Sequence, residues 1–384
     1  MAGEPNLPGR YIEESAGNPH TIQGVPTVVT AFVGYTATGP LNIATHVTSF
    51  AAYERIFGGL EPENETADAV RLFYANGGQQ ACVVRVAGAS GGPPDASPII
   101  GERDSKTGIY ALDSADLINL LVIPRTGMLS NEDAAVVITA AIKYCQERRA
   151  FYLIDPIASN DFSAVADWVA QLPATSDAAL YFPQVLIRDP FNRKDLKAVS
   201  PSGAVAGVYA RFDAQHGVWK APAGTEAALL GVERPALSLT DQEVEMLTSQ
   251  NVNALREFPG RAGTVVWGAR TRSDDDYKYV PVRRLALFLE ASIERGLEWV
   301  VFEPNGEALW ANIRTAAQDF LLDLFRKGAL LGRKPDEAFF VKCDRTTMTQ
   351  NDIDQGLVKV VVGFAPLRPA EFLVLQIQRQ ASRA

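Results

Sequence analysis

Short, almost uninterrupted apolar runs alternate with amphipathic stretches along most of this chain, and that alternation sets the expected fold. The first run, VPTVVTAFVGYTATGP (Val25 to Pro40), is β-branched until Gly39 and Pro40 stop it, and it reads as a buried strand. SFAAYERIFGG has helical apolar spacing and ends at Gly58 and Gly59. TADAVRLFYANGG repeats the pattern, with Thr66 as the expected cap, a stripe through Val70, Phe73 and Tyr74, and Gly77 as the stop. ACVVRVAG is the next strand. From Asp116 onward, LINLLVIP, AFYLIDP and ALYFPQVLIRDP read as strands. Between them lie a helix capped by Ser130 that runs to about Arg148, with Glu132 and Asp133 in its first turn, and a second helix, DFSAVADWVAQL. PSGAVAGVYARFDAQHG follows as a helix whose small residues allow close packing. Near-continuous apolar strands separated by helices predict an α/β fold whose sheet is largely parallel and covered on both faces.

The C-terminal third carries a second set of elements. Thr240 and Glu243 form a capping box, Gly263 to Trp267 a strand, and SDDDYKY a charged loop. Pro281 starts a helix to Arg295 with Val282, Leu285, Leu289 and Ile293 on one face. LEWVVFEP reads as a short buried strand. Asn305 is the expected cap of a longer helix with Leu309, Ile313, Ala317, Phe320 and Leu324 as its core stripe. AFFVKCD, GLVKVVVGFAP and AEFLVLQIQRQ are strands, the last two expected as antiparallel neighbours across the Pro366–Pro369 turn. Proline and glycine punctuate residues 1–24, which read as an extended arm with a short strand at Tyr11 to Ser15. The expected organisation is therefore an N-terminal arm (1–24), an α/β core (25–258) with a Gly/Pro/Ser-rich surface insertion near 88–115, a C-terminal α/β domain (259–369) and a C-terminal arm strand (370–384).

Composition narrows the function. The chain has 384 residues, 47% hydrophobic and 21% charged, which is ordinary for a soluble globular protein with a large core. Its net charge of −9 argues against a nucleic-acid partner, because phosphate binding needs a basic face. No apolar run approaches the ~18 residues of a membrane span. The N-terminal stretch lacks the charged and apolar regions of a secretory signal, so assembly in the cytoplasm is expected. Cys82, Cys145 and Cys343 are scattered through apolar contexts and read as reduced core thiols.

Candidate chemistry is sparse. GERDSKTG places Ser105, Lys106 and Thr107 together but lacks the glycine before lysine and the preceding apolar strand of a phosphate loop. His20, His46 and His216 are isolated, with no zinc-ligand spacing, and there is no GxSxG elbow. Asp155 and Asp189 each end a strand before a proline. Ligands of α/β sheets bind at such ends, whereas an Asp-Pro pair also simply begins a turn. Asp274, Asp275 and Asp276 are consecutive and point apart, as in a solvated loop. Arg326, Lys327, Arg333 and Lys334 gather at the end of the long helix. They read equally as macrodipole compensation and as a contact patch for an acidic partner.

The final strand is more telling. Leu373, Leu375 and Ile377 share a face with Arg379, while Phe372 and Val374 give way to glutamines on the other. An apolar face of this kind needs a cover, either this chain's own sheet or strand addition to a neighbouring subunit. Glu13 and Glu14 near one terminus and Arg379 and Arg383 near the other have opposite signs and suit registration of arm against tail.

LPGRYIEES, VVTAFVGYTATGP, LFYANGGQQACVVRV, LREFPGRAGTVVWGARTRS, VPVRRL, LEWVVFEPNGEALW, EAFFVKCD, NDIDQG and PAEFLVLQIQ resemble successive blocks of contractile tail sheath proteins. The resemblance spans nearly the whole chain and is thinnest at 88–115 and in the middle of the α/β region. It implies a structural, non-enzymatic subunit without a cofactor. Such subunits stack as hexameric rings around an inner tube and contract to drive that tube through a target envelope. It further implies that Tyr11, Ile12, Glu13, Glu14 and Ser15, and Phe372, Leu373, Val374, Leu375, Ile377 and Arg379, are inter-subunit arm strands. Arg326, Lys327, Arg333 and Lys334 become the candidate tube contact. The implied partners are further copies of the chain, the tube, and baseplate and tail-terminator or cap proteins, within a phage tail or a released particle. The alternative is a small-molecule- or nucleotide-binding α/β enzyme with a site near Asp155 and Asp189.

Overall fold

The computed structural model of the protein describes residues 20–88, 91–159, 161–192, 194–258 and 263–371. They fall into two compact units, Val25–Ala291 with 366–371, and Ser292–Ala365 with 20–24.

The larger unit is built on β1 (Thr30–Gly34), β2 (Thr45–Val47), β3 (Ala81–Arg85), β4 (Leu120–Val122), β5 (Phe151–Ile154) and β6 (Ala178–Phe182). Then come β7 (Val185–Arg188), β8 (Leu196–Val199) and β9 (Arg234–Pro235), which make a separate three-stranded sheet. β10 (Val252–Arg256) and β11 (Val265–Trp267) complete an eight-stranded sheet in the order β11-β10-β6-β5-β4-β1-β3-β2. The strands from β10 to β3 run parallel, and β11 and β2 are antiparallel at the two edges.

Successive strand residues enter opposite cores, as a period of two dictates. Phe32, Leu120, Phe151 and Tyr181 face one side, with α1 (Phe50–Phe57), α2 (Glu65–Ala75) and, later in the chain, the helix Ser202–His216. Ala31, Leu121, Tyr152 and Leu180 face the other, with α3 (Ala96–Ile100), α4 (Asn131–Arg148) and α5 (Phe162–Gln171). The helix Ser202–His216 is α6, and α7 (Asp241–Ser249) adds Leu247 to the second core. The small residues of α6 allow the close packing expected, and the partner is α2. A Cβ on Gly207 would stand 2.5 Å from the Phe73 carbonyl oxygen and from Asn76 Cβ.

The helix α8 (Val280–Gly296) starts in the larger unit, and its last residues count with the smaller one. The smaller unit holds α9 (Glu307–Arg326), α10 (Pro335–Ala338), β12 (Phe339–Lys342), α11 (Gln350–Asp354) and β13 (Val361–Phe364). Leu309, Trp310, Ile313, Cys343 and Met348 form a core there. His20 stacks on Trp299 at 3.9 Å. All three cysteines are buried and free.

Several expectations need correction. The stretch near 88–115 is not a surface insertion throughout, because Ile99, Ile109 and Leu112 are buried in the second core. The boundary expected at 259 falls instead at Ser292, because β11 pairs with β10 inside the large sheet. ALYFPQVLIRDP is two strands in two sheets, since Pro183 has no N–H to continue the ladder. Asn64, not Thr66, caps α2, accepting from Ala67 N at 3.0 Å, and Thr66 is buried inside the helix. Gly306 is the cap of α9. Asn305 accepts from Trp310 Nε1 at 2.8 Å. Finally, LEWVVFEP is not a buried strand. It makes a 3-10 turn at Glu298–Val300, after which Val301 and Phe302 are exposed.

Candidate assembly surfaces

In an open α/β sheet, ligands enter where the strand order reverses, here beside the C-terminal ends of β1 and β4. That crevice is occupied by the chain itself. Gly34, the last residue of β1, lies against the buried Thr66 hydroxyl, where any Cβ would collide with it. Arg125 Nη1, just beyond β4, donates to Glu65 Oε1 at 2.7 Å and ties the two sides together.

Asp155 and Asp189 do separate jobs. Asp155 ends β5 and is buried, accepting from Ser202 N at 3.0 Å and Ser202 Oγ at 2.6 Å. It thereby caps α6, whose own N-cap, Pro201, has no side-chain hydrogen bond to give. Burial pushes its carboxyl up to about 7, against the lowering effect of the two Ser202 bonds. Asp189 lies past β7, in the other sheet, where Oδ1 accepts from Phe191 N at 2.8 Å and Asn192 N at 3.3 Å in a local turn. The acidic loop is similarly committed. Asp274 accepts from Asn251 Nδ2 at 2.8 Å, and Asp275 Oδ1 accepts from Tyr277 N at 2.8 Å. Among the described residues, no group of three or more His, Cys, Asp or Glu side chains is arranged to hold a metal ion.

Surfaces suited to macromolecular contact lie in the smaller unit. Arg326 and Lys327 close α9, Arg333 and Lys334 follow it, and all four are exposed. Lys327 Nζ pairs with Asp323 Oδ2 at 2.6 Å, one turn back. Leu331, 58% exposed, sits in sequence between the two basic pairs.

β12 and β13 form a two-stranded antiparallel ribbon, with no third strand on either edge among the described residues. Ala365 N donates to Ala338 O at 2.8 Å. Ladder alternation from that pair turns the backbone N–H and C=O groups of Val341 and Val362 toward the two outer edges. On the outer face the Phe340 ring lies over Gly363, where a Cβ would collide with it, and Val361 is exposed on the same face. Two unpaired edges and an uncovered aromatic face in so short a ribbon are unstable features in isolation.

The described chain ends at a strong anchor. Arg270 Nε and Nη2 donate to Glu371 Oε1 and Oε2, each at 2.7 Å, and Tyr279 Oη adds a bond at 3.2 Å. Burial pushes the Glu371 carboxyl up, but the Arg270 bonds outweigh it and hold the group below its ordinary range. This clamp escaped the sequence reading. A lone glutamate before an apolar strand gives no sign of a partner 101 residues away. The open ribbon was equally hidden, since the sequence paired β13 with the final strand and not with β12. The arm residues Tyr11, Ile12, Glu13, Glu14, Ser15, Phe372, Leu373, Val374, Leu375, Ile377 and Arg379 lie outside the described residues.

The larger unit's ligand crevice is filled by the chain itself, and the smaller unit carries an open-edged ribbon among the described residues. Residues 272–380 match the phage tail sheath C-terminal domain family. A prophage major tail sheath protein of Pseudomonas aeruginosa (strain UCBPP-PA14) is 27% identical over 308 residues, covering 76% of this chain and 75% of that protein. The sheath of the anti-feeding prophage in its contracted state superposes with a TM-score of 0.79 and 32% identity, over 98% of this chain and 100% of that one. The contracted sheath of the extracellular contractile injection system PVC gives 0.79 and 30%, over 98% and 99%. A sheath tail protein from Listeria innocua, at 11% identity and a TM-score of 0.58, shares the fold. The chain belongs to the contractile tail sheath family and is a contractile sheath protein.

Proposed function

We propose that copies of this protein stack as hexameric rings around an inner tube and that the resulting cylinder contracts to drive the tube through a target envelope. The observation that carries this reading is the β12–β13 ribbon, whose two outer edges are unpaired among the described residues. Two edges suit two added strands, and the chain has two candidates, Tyr11 to Ser15 and Phe372 to Arg379. Each would come from a neighbouring copy, so that every small unit is stitched to others by backbone hydrogen bonds. One such bond nets only about 0.5–1.5 kcal/mol, but several act together and repeat along the polymer. Glu13 and Glu14 against Arg379 and Arg383 would set the register. Heterologous contacts of this kind propagate into a helical cylinder. Arg326, Lys327, Arg333 and Lys334 are the proposed contact with an acidic tube surface. Baseplate and terminal cap proteins would close the two ends, with assembly in the bacterial cytoplasm. The role is mechanical and includes no catalytic step, in keeping with the structural duties of Asp155 and Asp189.

The match to the sheaths of the anti-feeding prophage and PVC runs end to end, whereas the prophage protein matches over three-quarters of its length. Deleting residues 1–16, or everything after Pro369, is expected to leave a folded monomer that forms no sheaths. Tubes seen by electron microscopy with either truncation would refute the tether assignment. A shell that never contracts would show one sheath length under all conditions, and an enzyme would respond to nucleotides or metals in a thermal-shift screen.

A further inference from the structure

The larger unit's last described residue, Glu371, immediately precedes the proposed C-terminal arm, and at its other end the chain enters it at Val25, after residues 20–24, which belong to the smaller unit. Both places are held by one stretch of chain. At the C-terminal side, Arg270 grips Glu371 bidentately and its Nη1 donates to Thr248 O at 2.8 Å, while Tyr279 supplies a further hydrogen bond to Glu371. At the N-terminal side, Thr27 Oγ1 donates to Asp213 Oδ2 at 2.6 Å. Arg284 Nη1 and Nη2 donate to the same carboxylate at 2.9 and 2.7 Å, and Nη2 also reaches Thr27 O at 2.9 Å. The Arg284 guanidinium stacks over the Tyr209 ring at 4.7 Å, which fixes it from the third side. Arg284 and Asp213 are almost fully buried, and Arg270 nearly so.

Planar, bidentate arginine–carboxylate pairs resist displacement along the chain better than apolar contacts, because they are directional and lose both bonds at once. Here the arginines of two such pairs lie within Arg270–Arg284, with Glu371 at the exit of the larger unit and Asp213 beside its entry as their partners. We propose that Arg270–Arg284 fastens the chain where it enters and where it leaves the larger unit, so that load carried by the tethers during contraction passes into that unit there. This rests on the reading of the termini as inter-subunit tethers. An arm can add to a neighbour without the anchor, but a pull on it would then peel the chain from the body before turning the body.

The test uses the full-length protein assembled with its tube and baseplate. Glu371→Gln keeps the side chain's shape and leaves the Arg270 bond to Thr248, so the body should fold. Unchanged far-UV circular dichroism and Tm of the monomer check this. Tyr279→Phe removes only the third hydrogen bond, and Thr27→Val removes only the Thr27 hydroxyl bond on the N-terminal side. Hydrogen exchange at residues 366–371 should rise several-fold in Glu371→Gln. Its sheaths should still assemble, but several-fold more of them should break or lose rings on triggered contraction. Tyr279→Phe and Thr27→Val should show smaller increases of the same kind. Wild-type exchange at 366–371, or wild-type integrity through contraction in both Glu371→Gln and Thr27→Val, would overturn the proposal. Deleting residues 372–384 separates the two ideas. Sheaths built without them refute the tether reading and the anchor with it. Loss of sheaths on deletion, beside unbroken contraction in Glu371→Gln and Thr27→Val, refutes the anchor alone.

Discussion

Asp155 illustrates how one residue serves two readings until its neighbours are known. At the end of a parallel strand it stands where a catalytic carboxylate would, and its raised pKa would ordinarily strengthen that idea. Its two bonds to Ser202 give it a structural task at the head of α6. Burial raises its pKa from 3.8 to about 7, so between those values the folded chain holds the proton more tightly than the unfolded chain does. Stability from this group is fully present below the unfolded pKa and is lost as pH rises through the folded one, by at most about 1.4 kcal/mol per pH unit. Asn at 155 can accept from Ser202 N and bond its hydroxyl without titrating. Thermal melts across pH 4–8 should therefore show Asp155→Asn gaining on the wild type as pH rises. A constant difference in Tm would mean that Asp155 does not titrate in this window.

At the scale of elements, periodicity served well where packing is internal to the chain. The core stripe of α9 and the capping box of Thr240 and Glu243 were legible because 3.6-residue spacing and Thr-x-x-Glu chemistry are local. The small residues of α6 also announced close packing, though not that its partner is α2. Gly207→Ala would press a methyl group onto the Phe73 carbonyl and Asn76, and the expected cost is about 1–3 kcal/mol in a urea melt. What sequence could not supply was partnership over distance. Val301 and Phe302 are apolar and their pattern predicts a buried strand, yet Val301 is 64% exposed in the single chain. Apolar patterning reports that a surface is to be covered, not whether the cover comes from the same molecule. The ribbon gives the matching prediction. Val362 directs its N–H to an outer edge, and proline there removes that donor while sparing the pairing of β12 with β13. Val362→Pro should leave the monomer's Tm within a few degrees and reduce sheath formation at least several-fold by sedimentation. Normal assembly would show that this edge takes no strand.

For the whole molecule, the contrast between its two units carries the mechanical account. The larger one has two packed cores, a filled crevice and buried arginine–carboxylate pairs, all features of a body that moves without deforming. The smaller one presents strand edges unpaired among the described residues, a basic helix end and exposed apolar side chains, which suit joints that persist while bodies rotate. The fold class, the parallel sheet and the family were readable from the sequence, because apolar strands and short motifs recur along nearly the whole chain. The position of the unit boundary at Ser292 was not, because β11 reaches the large sheet only through its pairing with β10. The most direct measurement is electron microscopy of particles assembled from this protein with its tube and baseplate, imaged before and after triggering. Sheaths that shorten and widen while keeping all their rings are the predicted result. Sheaths of one fixed length in both samples, or protein that stays monomeric beside naked tubes, would contradict it.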